Sequence, residues 1–159
     1  MVLAERLVRA LEQRGPYGIW SDSALFREAT GELSRRIIGE HILAIGIRGA
    51  ALAAPIALER DIPLILAAKD SDDPSLAYSD ALIDYSGREK RYAIPRVLEG
   101  RVSIIDDWFE TGRTLRAIIE REGGMPVQAC FVFDEMTDDV RSGFSIPLTS
   151  IARLQPRED

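Results

Sequence analysis

Apolar residues recur along this chain in two rhythms, and their order predicts the architecture. Leu3, Leu7 and Leu11 repeat every four positions between charged residues, which predicts an amphipathic helix ending near Gly15-Pro16. Pro16 to Ser23 reads as a loop holding Trp20. A second helix is predicted from Ser23 to Ile38, with Ser23 as its cap and Leu25, Phe26, Ala29, Leu33 and Ile37 facing inward; Gly39 stops it. The rhythm then changes. Ile42 to Ile47 is a continuous apolar run, as a buried parallel strand requires. Arg48-Gly49 opens a small-residue helix, Ala50 to Arg60, where Pro55 suits only the first turn or a kink. Pro63 to Ala68 is a second strand, ended by Lys69. Strand, helix and strand at this spacing make a βαβ unit with a right-handed crossover.

The middle of the chain is more polar. Asp70 to Ser79 reads as a loop. Between Ala81 and Pro95, Ser86-Gly87 is a turn joining Leu82–Tyr85 to Arg91–Ile94, either a hairpin or a flexible flap. Glu99-Gly100 turns into the apolar run Val102 to Ile105. Leu115, Ile118 and Ile119 then fall at helical spacing up to Gly123-Gly124, and Pro126 to Phe133 is a further apolar strand. Ser145 to Leu148 reads as a short last strand or an edge segment, because Pro147 disfavours a central place. Two helices followed by alternating strands and helices predict an α/β fold. Its sheet is open, mainly parallel and twisted, with helices on both faces and a small N-terminal helical hood.

Composition narrows the function. A chain of 159 residues, 46% hydrophobic and 29% charged, suits one globular domain that needs no staple. We expect residues 1–40 to form the hood, 41–135 the core, and 136–159 a segment completing the hood or the sheet edge. The single cysteine, Cys130, lies in an apolar run and reads as a buried thiol, so no cysteine-built metal site is expected. No apolar run approaches the ~20 residues of a membrane span. Met1 to Arg14 lacks a signal-peptide core, so a cytoplasmic location is expected. The net charge of −6 argues against nucleic acid held on a basic face. The sole histidine, His41, reads as a surface or strand-edge residue.

The chemistry concentrates in Arg101 to Leu115. An apolar strand, Val102 to Ile105, leads into Asp106-Asp107, then Trp108-Phe109-Glu110, then Thr111-Gly112-Arg113-Thr114 and a helix. Ligands of open α/β sheets bind outside the carboxyl ends of strands. Free N–H groups at a helix start favour a phosphate. Carboxylates beside that phosphate can hold sugar hydroxyls or a hydrated Mg²⁺, which prefers oxygen.

This stretch resembles the phosphoribosyl-diphosphate (PRPP) binding motif of type I phosphoribosyltransferases: two apolar residues, two acids, three variable residues, then Thr-Gly-Gly-Thr/Ser. Ile45-Gly46-Ile47-Arg48-Gly49-Ala50-Ala51 is similar to the diphosphate loop of the adenine enzymes in that family. Leu82-Ile83-Asp84-Tyr85-Ser86-Gly87 resembles their flap, and Gly18-Ile19-Trp20-Ser21-Asp22 loosely their base-contacting hood segment. The resemblance implies a transferase moving the 5-phosphoribosyl group of PRPP to a small planar base, purine-like, with release of diphosphate. It implies Asp106 and Asp107 on the ribose diol and Mg²⁺, with Glu110, Thr111, Gly112, Arg113 and Thr114 around the 5′-phosphate. Arg48, Gly49 and Lys69 fall to the diphosphate. Asp84, Arg48 and Lys69 are the implied catalytic residues, and Ile19, Trp20 and Trp108 the implied base contacts. A homodimer is also implied.

Three departures matter. Arg113 stands where a second glycine is common. Lys69 is followed by Asp70, Asp72 and Asp73, where the adenine enzymes are basic. Ser21 replaces the arginine of the hood. These leave open another acceptor base, or a non-catalytic sensor binding PRPP or a nucleotide in the same fold.

Overall fold

The computed structural model describes residues 1–69, 76–78, 82–83, 89–95, 100–122 and 126–156. Helices α1 (Leu3–Arg14) and α2 (Ser23–Arg36) come first. Leu7 and Leu33 are fully buried, as the apolar rhythm predicts. Asp22, rather than Ser23, caps α2: its Oδ1 accepts from the N–H groups of Ala24 and Leu25 at 3.1 and 3.0 Å. The Arg6–Glu28 pair at 2.6 Å ties the two helices together.

Strand β1 (His41–Ile45) ends earlier than the apolar run suggests, and α3 (Gly46–Arg60) starts at once. Gly46 makes this possible by taking φ +61°, a left-handed turn open to a residue without Cβ. Arg48 and Gly49 thus lie in the first turn of the helix. Pro55 sits well inside α3, and the helix runs through it. Strand β2 (Leu64–Lys69) follows. The stretch expected to be a polar loop contains β3 (Leu76–Tyr78), which pairs antiparallel with β6 (Tyr92–Pro95). The expected hairpin is represented by β4 (Leu82–Ile83) and β5 (Glu89–Lys90), an antiparallel ribbon.

Strand β7 (Val102–Phe109) carries the acidic pair within it rather than after it. Helix α4 (Arg113–Glu122), β8 (Pro126–Asp134), α5 (Asp138–Ser142) and β9 (Leu148–Arg153) complete the described chain. The main sheet has the order β3-β6-β2-β1-β7-β8-β9. β2, β1, β7, β8 and β9 are parallel neighbours, and β6 joins β2 antiparallel. Pro147 sits just ahead of the edge strand, where its missing N–H costs no ladder bond, and its carbonyl accepts from Ala129 at 3.0 Å.

Two apolar layers sandwich the sheet. One joins Leu7, Leu25 and Leu33 of the hood helices to Ile42, Leu52, Ile56, Ile105 and Cys130. The other joins Leu115 and Ile118 of α4 to Leu43, Ile104, Phe109 and Phe131. The fold is therefore an open, mainly parallel sheet covered on both faces, with the N-terminal helices on one side. No helix among the described residues is long and apolar enough to cross a membrane.

Candidate active site

Strand order decides where a ligand can enter. From β1 the chain crosses to β2 on one side and later returns to β7 on the other. That reversal opens a crevice at the carboxyl ends of β1 and β7. The β1–β7 ladder stops at Ala44 and Ile105, whereas the β7–β8 ladder continues through Asp106–Phe131 and Trp108–Phe133 to Phe109–Asp134. β7 thus outruns β1 by four residues, two of them the aspartates.

The first turn of α3 fills that step. A methyl on Gly49 would lie 2.8 Å from the Ile105 carbonyl oxygen and 3.3 Å from Asp106 Oδ1, so only glycine lets the turn come this close. The approach brings Arg48 onto the acidic pair, with Nη1 3.2 Å from Asp107 Oδ2. Asp107 is 2% exposed, and that oxygen makes no hydrogen bond; the arginine charge beside it is its compensation. Asp106 Oδ1 accepts from the Asp107 N–H at 2.8 Å. Burial pushes the Asp106 carboxyl well above the ordinary value, and the neighbouring Asp107 charge adds to it. Burial raises Asp107 as well, against the opposing pull of Arg48.

On the far side of the crevice, Gly112 turns the chain into α4 at φ +68°. A methyl there would meet the Phe144 ring at 2.7 Å and Met136 Sδ at 3.2 Å, so the turn is pressed onto α4's packing layer. Thr111 Oγ1 accepts weakly from the Arg113 N–H at 3.5 Å. Glu110, Thr111 and Arg113 are exposed, and Thr114 is half-buried.

Trp108 is half-buried on the hood-side layer, although strict alternation would place it with Ile104 on the other face. Its ring packs on Phe133 at 5.1 Å, and its indole N–H donates to Glu135 Oε2 at 3.0 Å. Trp20 packs against the same layer, with Tyr17 6.2 Å away. Ile19 is 1% exposed, so its side chain belongs to the hood core and only its backbone can meet a ligand. Lys69 closes β2, whose carboxyl end faces the same edge of the sheet. Asp84, Asp70, Asp72 and Asp73 lie outside the described residues. His41 starts β1, at the opposite end of the strands from the crevice.

Sequence reasoning gave no role to two acids at the end of β8. Asp134 is fully buried and paired with Arg141, and its Oδ1 accepts from the Met136 N–H at 3.0 Å. Glu135 holds the Trp108 indole. The available signal was an acidic pair closing an apolar strand at the sheet's carboxyl edge, the pattern already seen at Asp106-Asp107.

Tight turns at Gly49 and Gly112 flank an acidic pair, of which Asp107 is buried, at the switch point of a five-strand parallel array. The fold is type I phosphoribosyltransferase-like, and in both fold and sequence the chain resembles the adenine phosphoribosyltransferases. It is 35% identical over 96 residues to the adenine phosphoribosyltransferase of Treponema denticola, an alignment covering 57% of this chain and 50% of the relative. It is 32% identical over 121 residues to that of Treponema pallidum, covering 72% and 64%. The chain thus spans about half to two thirds of the length of these curated relatives. Among solved structures it superposes on adenine phosphoribosyltransferase from Trypanosoma brucei, in complex with AMP, pyrophosphate and ribose-5-phosphate, with a TM-score of 0.74 and 19% identity, covering 86% of this chain and 67% of that one. No protein-family model matches the chain.

Proposed function

We propose that this protein is a Mg²⁺-dependent phosphoribosyltransferase that moves the 5-phosphoribosyl group of PRPP to a ring nitrogen of a purine-like base. Adenine is the first candidate acceptor, given the relatives' names and the AMP, pyrophosphate and ribose-5-phosphate of the trypanosome complex. The observation that carries the reading is the Arg48–Asp107 contact at the switch point, facing the Gly112 turn into α4.

In this reading the bond from the anomeric carbon to diphosphate oxygen breaks, and a bond to the base nitrogen forms. Diphosphate leaves with the electron pair, and the acceptor nitrogen gives up its proton to the departing diphosphate or to water. The amides of Thr111 to Thr114, with the threonine hydroxyls and Arg113, hold the 5′-phosphate. Asp106 and Asp107 hold the ribose diol and favour the positive charge that develops on the sugar. Arg48 releases Asp107 and turns to the diphosphate, with the Gly49 amide and Lys69 assisting; its planar fork suits two oxygens at once. Trp20, Trp108 and the Ile19 backbone flank the base, and Asp84 serves the reaction from the flap.

The fit of Mg²⁺ rests on hard oxygen donors: two adjacent carboxylates, one with an oxygen that makes no hydrogen bond. No cluster of three or more metal-ligating side chains occurs among the described residues. Mg²⁺ is commonly held by one or two carboxylates together with substrate oxygens and water. Such an ion would add positive charge to the leaving diphosphate. A homodimer in the cytoplasm completes the proposal. Its support is the apolar surface of α3 and β2, where Leu58 is 84% and Leu66 50% exposed.

The test is diphosphate release from PRPP over a panel of bases, with and without chelator. Chelator-sensitive release with one base, and none without a base, is the expected result. Binding of PRPP with no release under any base selects a sensor in place of the enzyme, and no binding ends both readings. Sedimentation of the chain and of Leu58→Glu tests the dimer.

A further inference from the structure

We propose that Glu135 is a positioning residue for the acceptor: by holding the Trp108 indole it fixes that ring as a wall against which the planar base stacks. The identity of the acceptor rests on the transferase reading; the latch does not.

Its place on β7 and two contacts fix the ring. Trp108 follows Asp107 directly on β7, so one peptide unit sets its place relative to the ribose-binding acid. Its register partner on β8 is Phe133, which is buried and packs on the indole at 5.1 Å with a 44° tilt. Glu135 then takes the one hydrogen that an indole can donate, at 3.0 Å. The Glu135 backbone is itself anchored to β7, since its N–H donates to the Phe109 carbonyl at 2.8 Å. The carboxylate is therefore held in place by the strand that bears the ring.

Packing alone does not call for this acid. Glu135 is 8% exposed, and burying a carboxylate costs more than burying a leucine of similar size. What the acid adds is direction. Dispersion against Phe133 leaves the indole free to swing, whereas a charge-assisted hydrogen bond sets its rotation. A planar acceptor stacking on that face would feel the difference; PRPP, cradled by Arg48, the aspartates and the α4 turn, would not.

The experiment uses the full chain with two substitutions. Glu135→Gln keeps an oxygen that accepts from the indole, and Glu135→Leu removes it. Glu135→Leu is expected to raise the acceptor KM about tenfold or more while the PRPP KM stays within about twofold; Glu135→Gln is expected to stay within about threefold for both. For spectroscopy only, Trp20→Phe leaves Trp108 as the sole tryptophan. In that background, emission anisotropy is expected to show added ring motion with Glu135→Leu and little with Glu135→Gln.

An unchanged acceptor KM in Glu135→Leu, a parallel rise in the PRPP KM, or unchanged ring motion overturns the proposal. If the unsubstituted chain releases no diphosphate with any base, the transferase reading fails by itself. Quenching of Trp108 emission by adenine then decides the wall. Quenching that Glu135→Leu weakens supports it, and quenching absent from the Trp20→Phe chain, or unaltered by Glu135→Leu, overturns it.

Discussion

The two ends of β1 and β7 are built to opposite rules. At the amino end the polar groups are matched with one exception among the described residues, His41 Nδ1, which makes no hydrogen bond. Ser103 Oγ, fully buried, accepts from the Gly39 N–H at 2.8 Å and from Gln128 Nε2 at 3.1 Å, and Gln128 also donates to the Arg36 carbonyl at 3.0 Å. Arg60 satisfies the carbonyls of Ser34 and Ile37 at the end of α2, both at 2.7 Å. Glu40 accepts from the Arg101 N–H at 2.9 Å. At the carboxyl end, two adjacent acids are raised by burial, and a buried carboxylate oxygen of one of them lacks a hydrogen bond. Buried polar groups normally find partners. Apart from His41 Nδ1 the amino end obeys that rule, and its bonds hold α2, β1, β7 and β8 in register. The carboxyl end leaves capacity for a ligand to complete, and the matched end supplies the rigidity that keeps it in place.

Substitutions can break this contrast from either side. The largest effect belongs to Asp107→Asn. If the proposed function holds, it is expected to lower diphosphate release by about 10³-fold while far-ultraviolet circular dichroism stays unchanged, because that reading gives the charge to the reaction and not to the fold. Gly112→Ala comes next. Its methyl would sit 2.7 Å from the Phe144 ring in a backbone conformation that disfavours Cβ, so the turn must shift. The PRPP KM is expected to rise about tenfold to a hundredfold with a smaller change in kcat. At the other end the pattern inverts. Gln128→Leu strips Ser103 Oγ and the Arg36 carbonyl of a donor, and a loss of about 1–3 kcal/mol is expected in urea unfolding. The PRPP KM of the folded fraction should not move. A changed KM there would show that the two ends are not separable.

Much of the contrast was legible in the sequence, and the missing parts share a cause. The hood helices, β1, β2, β8 and the helix after the acidic pair follow from apolar periodicity, which each segment carries in itself. The Arg48–Asp107 contact was not foreseen, because the family likeness assigned Arg48 to the diphosphate and the acids to the ribose. Errors arose where a neighbour decides. Asp106 to Phe109 are strand because Phe131 to Asp134 extend alongside them. Leu76–Tyr78 is strand because β6 offers a partner. Helix α3 starts early because Gly46 and Gly49 let it approach β7, and proximity of that kind leaves no mark on hydrophobic spacing. The Trp108–Glu135 bond spans 27 residues and has no local signature.

The smallest effect sharpens the comparison most, because stability and function should move in opposite directions. An unfolded aspartate titrates near 3.9. Asp106 in the folded chain titrates well above its ordinary value because burial disfavours its charge. Between those two points the native state holds a proton that the unfolded state has released, so stability falls as pH rises through the window. Below the ordinary value both states are protonated and the stability is fully present; above the raised value it is lost. Asp106→Asn removes the charge that burial penalises. Its melting temperature is expected to exceed that of the unsubstituted chain by about 2–4 °C at pH 8, roughly 1 kcal/mol, and to converge with it at pH 4. On the proposed function, binding of PRPP with Mg²⁺ requires the ionised acid, so affinity is expected to rise with pH across the window in which stability falls, and the asparagine variant to lose most of both trends. Thermal melts and PRPP titrations at matched pH values measure the two slopes. Parallel slopes would mean that Asp106 supports the fold, and the carboxyl end would then obey the same rule as the amino end.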